Sequence, residues 1–318
     1  MNPRAGLNRL GELAAVLLLV SFGVFFMVTL VPGDPAVAIL GSGKPPEMYE
    51  ALREELGLDQ SVLTRYFDWL GGVLTGDLGH SIVPPQSAVS DRILSALPVS
   101  LELAFLGLVV AVVLAVPLAM WAAAKPGGTV DRLVGASTFG LLSVPSFLAG
   151  LLLIMLFVNE LGLFPRSQWV RMGDSFTGNL EHAFLPVLVI ALSEVAVFTR
   201  VLRNDLVVTL QEDFVLASRA KGMPPWRVMV GDALRPSSFT LVTLLGISTG
   251  RLIGSTVIVE YLFSLPGMGS LVVTSAQNGD FPVVQGAVLV IAFIYVVVNT
   301  GIDLSYGLID PRTRRVHD

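Results

Sequence analysis

Residues 101–124 read LELAFLGLVVAVVLAVPLAMWAAA and include one charged side chain, Glu102. A helix rises 1.5 Å per residue, so about 20 apolar residues cross a hydrocarbon core about 30 Å thick. The segment therefore predicts a transmembrane helix. The rest of the chain agrees, because 53% of its 318 residues are hydrophobic and only 14% are charged, against roughly a quarter charged in soluble domains. We predict an integral membrane protein.

Six segments reach or approach the length of a membrane span, and they predict an all-α protein with six transmembrane helices. Their approximate ranges are 10–31, 101–124, 133–158, 180–198, 239–262 and 283–308. The chain then divides into a tail and first helix (1–31), a loop domain (32–98) and a five-helix core (99–318). The core contains a second long connection, residues 200–236, and the first span is expected to be retained.

The distribution of lysine and arginine predicts the orientation in the membrane. With the N-terminus inside, 13 of the 20 basic residues fall in cytoplasmic segments, 6 fall in outer segments and Arg251 lies within a span. Basic residues concentrate on the cytoplasmic side of membrane proteins. Both termini and residues 200–236 are therefore predicted to be cytoplasmic, and residues 32–98 to be extracytoplasmic, in a multi-pass plasma membrane protein.

The inner segment predicts a surface helix over residues 204–221. Its apolar positions recur close to a 3.6-residue period: Leu206, Leu210, Phe214, Ala217 and Ala220. Gly222 supplies a C-terminal stop, two prolines follow it, and a second short helix is expected near Trp226. Such a helix can offer an apolar side to a partner; the alternative is an ordinary inner loop.

Several classes of function are excluded by what the chain lacks. The net charge of -5 gives no general attraction to nucleic acid, there is no cysteine, and the three histidines lack metal-ligand spacing. Gly41-Ser42-Gly43-Lys44 resembles the end of a phosphate-binding loop, but Ala38 and Pro45 stand where glycine and serine or threonine are required. We predict no catalytic residue, metal site or nucleotide hydrolysis in this chain.

The fifth predicted span contains a G-x-S-x-G string, Gly246-Ile247-Ser248-Thr249-Gly250. In hydrolases this string marks a nucleophile between a strand and a helix, but here it lies in an apolar helix, and the histidine found within a predicted span, His182, lies at the very start of the fourth. Gly246, Gly250 and Gly254 instead form small-xxx-small steps that allow another helix to approach closely. We expect them to act in helix packing.

Two charged residues lie well inside predicted spans, Arg251 in the fifth and Glu194 in the fourth. A charge at mid-membrane costs at least about 2.5 to 3.5 kcal/mol on insertion scales, so it is usually paired or functional. Arg251 could pair with a carboxylate, for which Glu194 is a candidate, could line a transport path, or could extend to the membrane surface. The sequence leaves these three alternatives open.

The inner segment also resembles a known family. Asp213-Phe214-Val215-Leu216-Ala217-Ser218-Arg219-Ala220-Lys221-Gly222, followed by Asp232-Ala233-Leu234-Arg235-Pro236, is similar to the coupling loop of binding-protein-dependent ABC importers, although Leu216 replaces the glutamate of the family pattern. The run Arg219-Ala220-Lys221-Gly222 resembles the dipeptide, oligopeptide and nickel branch. Three other stretches resemble the same branch: Pro32-Gly33-Asp34-Pro35, Gly76-Asp77-Leu78-Gly79-His80-Ser81 and Phe263-Ser264-Leu265-Pro266-Gly267-Met268-Gly269. The first two look like the B-type permease of a pair.

This resemblance implies a permease subunit that imports dipeptides or oligopeptides, with nickel or another small solute as the alternative. It implies a second, homologous permease, two ATPase subunits that hold ATP and Mg²⁺, and an extracytoplasmic solute-binding protein. The residues implied in contact with an ATPase are Asp213, Phe214, Ala217, Arg219, Ala220, Lys221 and Gly222. A secondary transporter and an intramembrane serine protease are weaker alternatives, since the chain shows no inverted repeat and no histidine in the interior of a predicted span.

Overall fold

The computed structural model describes residues 3–30, 35–41, 43–55, 57–165 and 168–309. These residues form helices without a β-strand, apart from an isolated bridge between His80 and Ala88. The α-helices, numbered α1 to α14 in chain order, are Pro3–Leu30, Pro35–Leu40, Pro46–Glu55, Val62–Thr75, Val89–Ala123, Thr129–Ser143, Ser146–Leu153, Phe176–Thr209, Asp213–Ala220, Pro225–Arg227, Leu234–Ser255, Val257–Leu262, Met268–Gln277 and Phe281–Ile309. Two π-helical segments, Ile154–Glu160 and Val228–Ala233, continue α7 and α10.

Within the described residues, four helices are long and apolar enough to cross a membrane. They are α5, α8, and the segments Leu13–Leu30 of α1 and Phe281–Ile302 of α14. A bent pair that joins α6 to α7 would make a fifth. The predicted fifth span corresponds to α11 and α12, which are not among them. The all-helical membrane architecture is confirmed, and the number of six spans stays a prediction.

The third predicted span is not one straight helix. Residues 129–143 and 146–160 meet at an angle of 98°. Val144 leaves the helical conformation, with φ of -95° and ψ of 119°, immediately before Pro145. Because the proline ring disfavours a helical conformation in the residue before it, helix α6 ends here and α7 starts in a new direction.

The predicted inner helix over residues 204–221 is also wrong as a continuous element. Helix α8 extends to Thr209, the chain turns over residues 210–212, and α9 begins at Asp213. Leu206 is fully buried in the packed part of α8. The 3.6-residue period thus continues through two helices that differ in environment. The helix breaks between them because the β-branched residues before Leu210 have weak helix propensity and Asp213 favours a new N-terminus.

The chain forms two compact units, of which the first contains residues 1–100 and 266–297. Its core includes Val89, Ile93, Met268, Val283 and Ala287, all buried. The aromatic ring of Tyr66 packs edge-on against Phe22 and Phe25, and its hydroxyl lies 2.9 Å from that of Ser21. Helix α4 of the predicted outer segment therefore packs against α1.

A polar cluster joins residues 80–92 to the start of α14 in the same unit. The carboxylate of Asp280, 1% exposed, accepts hydrogen bonds from Ser81 Oγ at 2.6 Å, Ile82 N at 3.1 Å and Arg92 Nη1 at 3.2 Å. Arg92 also donates to Ser87 Oγ and to the carbonyl of Pro85. A buried carboxylate is thus satisfied by three donors that are distant in sequence.

The second unit, residues 101–265 and 298–318, is organised around α8. Helices α6, α7, α11 and α12 all pack against it. Two glycines allow close approach: an added Cβ on Gly107 would lie 2.6 Å from Ile190 Cγ2, and one on Gly150 would lie 2.5 Å from Leu262 Cδ2. Since real Cβ atoms do not approach this closely, a side chain at either residue would force Ile190 or Leu262 to move.

Candidate coupling surface and buried ion pair

Helix α9 ends in a complete capping motif built on Gly222. The N–H of Gly222 donates to the Arg219 carbonyl at 2.9 Å, and the N–H of Met223 donates to the Ser218 carbonyl at 3.3 Å. This is the Schellman arrangement, which requires a left-handed residue after the last turn. Gly222 has φ of +78°, a conformation that glycine adopts readily. The helix stop expected from sequence is therefore present.

One side chain anchors α9 and the rest of its apolar surface is open. Val215 is fully buried, and the helix packs on residues 228–233. By contrast, Phe214 and Leu216 are 50% and 47% exposed, and Trp226 of α10 is 64% exposed. The remaining residues of the predicted contact, Asp213, Ala217, Arg219, Ala220 and Lys221, are exposed as well. We call the exposed surface of Asp213, Phe214, Ala217, Arg219, Ala220 and Lys221 the α9 surface.

The two charged residues predicted inside spans form a contact. Arg251 Nη2 of α11 donates to Glu194 Oε1 of α8 at 2.5 Å, and Ser248 Oγ donates to Oε2 at 2.7 Å. The Glu194 side chain is 3% exposed, whereas that of Arg251 is 56% exposed. The carboxylate is thus enclosed and neutralised, and the arginine presents donors outward from this chain. The contribution of Ser248 was not predicted.

The serine of the G-x-S-x-G string is consequently a structural donor. It lies in the middle of α11 instead of at a strand-to-helix turn, and its hydroxyl is committed to Glu194. Gly246 does mark a close helix approach, because an added Cβ would lie 2.7 Å from Ile302 Cγ2 of α14. At Gly254 no described atom of the chain lies within 4 Å of an added Cβ. Gly246 therefore lies at a contact between helices and Gly250 is buried in the same helix. The packing role of the three glycines stays a prediction.

A second ion pair in this unit escaped sequence analysis. Arg203 near the end of α8 binds Asp131 of α6 through both carboxylate oxygens, at 2.9 and 2.6 Å. Asp131 also accepts from the N–H of Gly127 at 2.7 Å. The two side chains are 72 residues apart, and each lies where charges are common near a span end. Nothing in the local sequence distinguishes them from unpaired surface charges.

Comparison with known proteins places the whole chain in one family. Residues 115–315 match the family described as "Binding-protein-dependent transport system inner membrane component". Residues 4–104 match the corresponding N-terminal family of these membrane components. Together the two matches include nearly every element described above.

Individual relatives resemble the chain over almost their full length. A protein of Brucella abortus strain 2308, named as a peptide transport system permease protein, is 34% identical over 97% of this chain and 98% of its own. The D,D-dipeptide transport system permease protein DdpB of Escherichia coli K12 is 33% identical, with 92% of each chain covered. The nickel import system permease protein NikB of Staphylococcus aureus USA300 is 33% identical over 97% of this chain and 91% of its own.

Two solved structures share the fold at low sequence identity. An inward-facing MetNI methionine ABC transporter superposes with a TM-score of 0.56, at 14% identity, over 69% of this chain and 96% of that one. An amino acid ABC transporter gives 0.51, at 16% identity, over 70% of this chain and 94% of that one. Identities this low support a common fold and nothing finer.

Proposed function

Because this chain belongs to the family of binding-protein-dependent transport system inner membrane components, we propose that it forms half of the pathway through which an ABC importer carries short peptides. The observation that carries the proposal is the 34% identity over 97% of the chain to a relative named as a peptide permease. That similarity includes both units and is not confined to one motif. ATP and Mg²⁺ belong to partner subunits in this proposal, and this chain performs no chemistry of its own.

The α9 surface is the part that we assign to ATPase contact. It offers Phe214, half exposed on a helix whose end is fixed by the Gly222 cap, and an aromatic side chain on a rigid element is suited to a pocket on a partner. Helix α9 packs on residues 228–233, and these residues continue into α11 with no break in the helical backbone. A displacement of α9 would therefore be passed directly to a transmembrane helix.

Two permeases would then rock about the cargo between inward-open and outward-open states. Arg251 and Glu194 are our candidates for the pathway wall, because the side chain of Arg251 is 56% exposed although its partner is buried. An exposed arginine inside the membrane requires water, an anion or another protein group. The terminal carboxylate of a peptide would match the free donors of this guanidinium.

The proposed complex also contains a second permease, two ATPases and a binding protein on the outer face. Copurification of a tagged version of this chain from its native cell should recover the second permease, the ATPases and the binding protein. The purified complex should hydrolyse ATP faster when the binding protein is loaded with a peptide. Recovery of the chain alone, with uptake driven by an ion gradient in liposomes, would contradict the proposal.

The proposed location is the plasma membrane, with both termini and α9 in the cytoplasm. The chain has no cysteine, so each introduced cysteine is a unique reporter. Lys44→Cys and Asp174→Cys should react with an impermeant maleimide in intact cells, and Lys221→Cys should react only after the membrane is ruptured. Labelling in the reverse order would contradict the orientation.

Nickel is the second candidate cargo, favoured by the 33% identity to a nickel permease of Staphylococcus aureus. The two candidates separate at the binding protein, which selects the cargo before it reaches the membrane. Mass spectrometry of the ligand that copurifies with the binding protein would decide between a peptide and a nickel complex.

A further inference from the structure

Helices α6 and α8 enclose two adjoining clefts of opposite chemistry. The first, of about 290 Å³, is lined among others by Asp131, Phe139, Thr199, Arg200 and Arg203. The second, of about 560 Å³, lies where α6 bends away into α7, and its lining is almost wholly apolar. Both clefts use residues of α6 and α8, so a charged site and an apolar site follow one another along the same pair of helices.

The charged cleft carries one net positive charge. Arg203 is neutralised by its bidentate contact with Asp131. Arg200 is exposed, its guanidinium lies 4.6 Å from the centre of the Phe139 ring, and it contacts no carboxylate among the described residues. Thr199 beside it is 1% exposed, and its hydroxyl has no hydrogen-bond partner. The cleft therefore has free donors for a single anion.

The apolar cleft lies about two helical turns along α8 from Arg200. It is lined by Val189, Leu192 and Ser193 of α8, by Leu141 of α6 and by Val144 at the bend after α6. Arg200 is eight residues after Leu192 in α8, which corresponds to about 12 Å along a helix axis. A ligand that fills both clefts must therefore have an anionic end and an apolar end that are separated by this distance.

We propose that these clefts bind one anionic phospholipid, with its phosphate at Arg200 and an acyl chain between α6 and α8. Arginine binds phosphate oxygens through parallel N–H donors, and its stacking on Phe139 holds the plane of the guanidinium in place. Basic clefts between transmembrane helices on the cytoplasmic side are suited to anionic headgroups. The acyl chain would fill the apolar cleft at the 98° bend between α6 and α7.

The site can be tested on the purified, detergent-solubilised complex by native mass spectrometry. After delipidation, dioleoyl phosphatidylglycerol is added and the bound fraction is measured for wild-type protein and for Arg200→Gln. Loss of one charge-assisted contact should weaken binding roughly tenfold or more. Arg227→Gln is the matched control, since Arg227 is also stacked on an aromatic ring, that of Trp226, but lies outside both clefts. This variant should bind the lipid as the wild type does.

Two further additions distinguish a lipid from other ligands. Dioleoyl phosphatidylcholine, which has the same chains but no net charge, should bind more weakly than phosphatidylglycerol. Inorganic phosphate at millimolar concentration should not displace the bound lipid, because it cannot use the apolar cleft. The proposal would be overturned by equal binding to wild type and Arg200→Gln, by equal binding of the two lipids, or by full displacement with phosphate.

Discussion

Replacement of Gly222 should uncouple ATP hydrolysis from cargo without unfolding the chain. Apart from its two chain neighbours, no atom of the described residues lies within 4 Å of a Cβ added here, so substitution meets no steric clash among them. The whole penalty arises from the backbone, because φ is +78° and an L-residue with a side chain pays about 1 to 2 kcal/mol in the left-handed region. This penalty reduces the population of the native cap by a factor of about 5 to 30.

The side chain introduced should grade the effect. Asparagine tolerates the left-handed conformation best among residues with a side chain, alanine less well, and valine least because it is β-branched. We therefore expect cargo-stimulated ATP hydrolysis by the reconstituted complex to fall in the order Gly222→Asn, Gly222→Ala, Gly222→Val. Thermal stability should change little, since Val215 is the only fully buried side chain of α9.

Gly231 provides the control for this series. It lies nine residues further along the same segment, it has open space around an added Cβ, and its φ is not positive. Gly231→Ala should therefore retain wild-type stimulation. Equal activity of Gly222→Val and Gly222→Asn, or an equal loss in Gly231→Ala, would refute the assignment of the effect to the cap.

Three further substitutions test contacts seen in the structure. Arg251→Leu leaves the enclosed carboxylate of Glu194 with one donor, so the yield of folded complex should fall by an amount consistent with about 1 to 3 kcal/mol. Combination with Glu194→Gln should restore the yield. An unchanged yield in the single variant would exclude a structural role. Gly246→Val should lower the thermal midpoint, because a Cβ would lie 2.7 Å from a side chain of α14, whereas Gly254→Val should not, and equal midpoints would contradict that packing. Asp280→Ala removes the acceptor for three donors, with an expected loss of about 3 kcal/mol or more of stability, and thermal unfolding as sharp and as late as in wild type would disprove this.

The broad architecture was predictable because it depends on composition and length. The segments 101–124 and 283–308 are apolar for longer than a bilayer is thick, so their helical structure follows from the need to satisfy the backbone in lipid. The bend at Val144 was predictable in principle from Pro145. It was missed because apolar residues continue on both sides of the proline, and length alone favoured one span.

The inner segment shows which structural features a local sequence pattern can predict. Gly222 was identified correctly, since helix stops depend on one or two neighbouring residues. The division between α8 and α9 was not, because the spacing of Leu206, Leu210 and Phe214 continues through the turn. Periodicity gives the orientation of a side chain within a helix, but it does not reveal where a tertiary environment ends.

Contacts between residues that are distant in sequence were predictable only where one of the two carries a charge that is costly to place inside a membrane. Arg251 required a partner because it lies inside a predicted span, which made Glu194 a candidate from the sequence alone. Asp131 and Arg203 carried no such signal, and neither did Arg92 and Asp280, which are 188 residues apart. Near a span end a charge can be hydrated at low cost, so its partner depends on the packing of the fold.

Uptake of a labelled peptide into proteoliposomes tests the central claim most directly. The vesicles should contain this chain with its copurifying permease and ATPases, enclose ATP and Mg²⁺, and receive the binding protein and a labelled dipeptide outside. We expect accumulation above the external concentration, which stops when a non-hydrolysable nucleotide replaces ATP. Accumulation of nickel but not of any di- or oligopeptide would contradict the proposed cargo, and peptide accumulation without ATP would contradict the proposed mechanism.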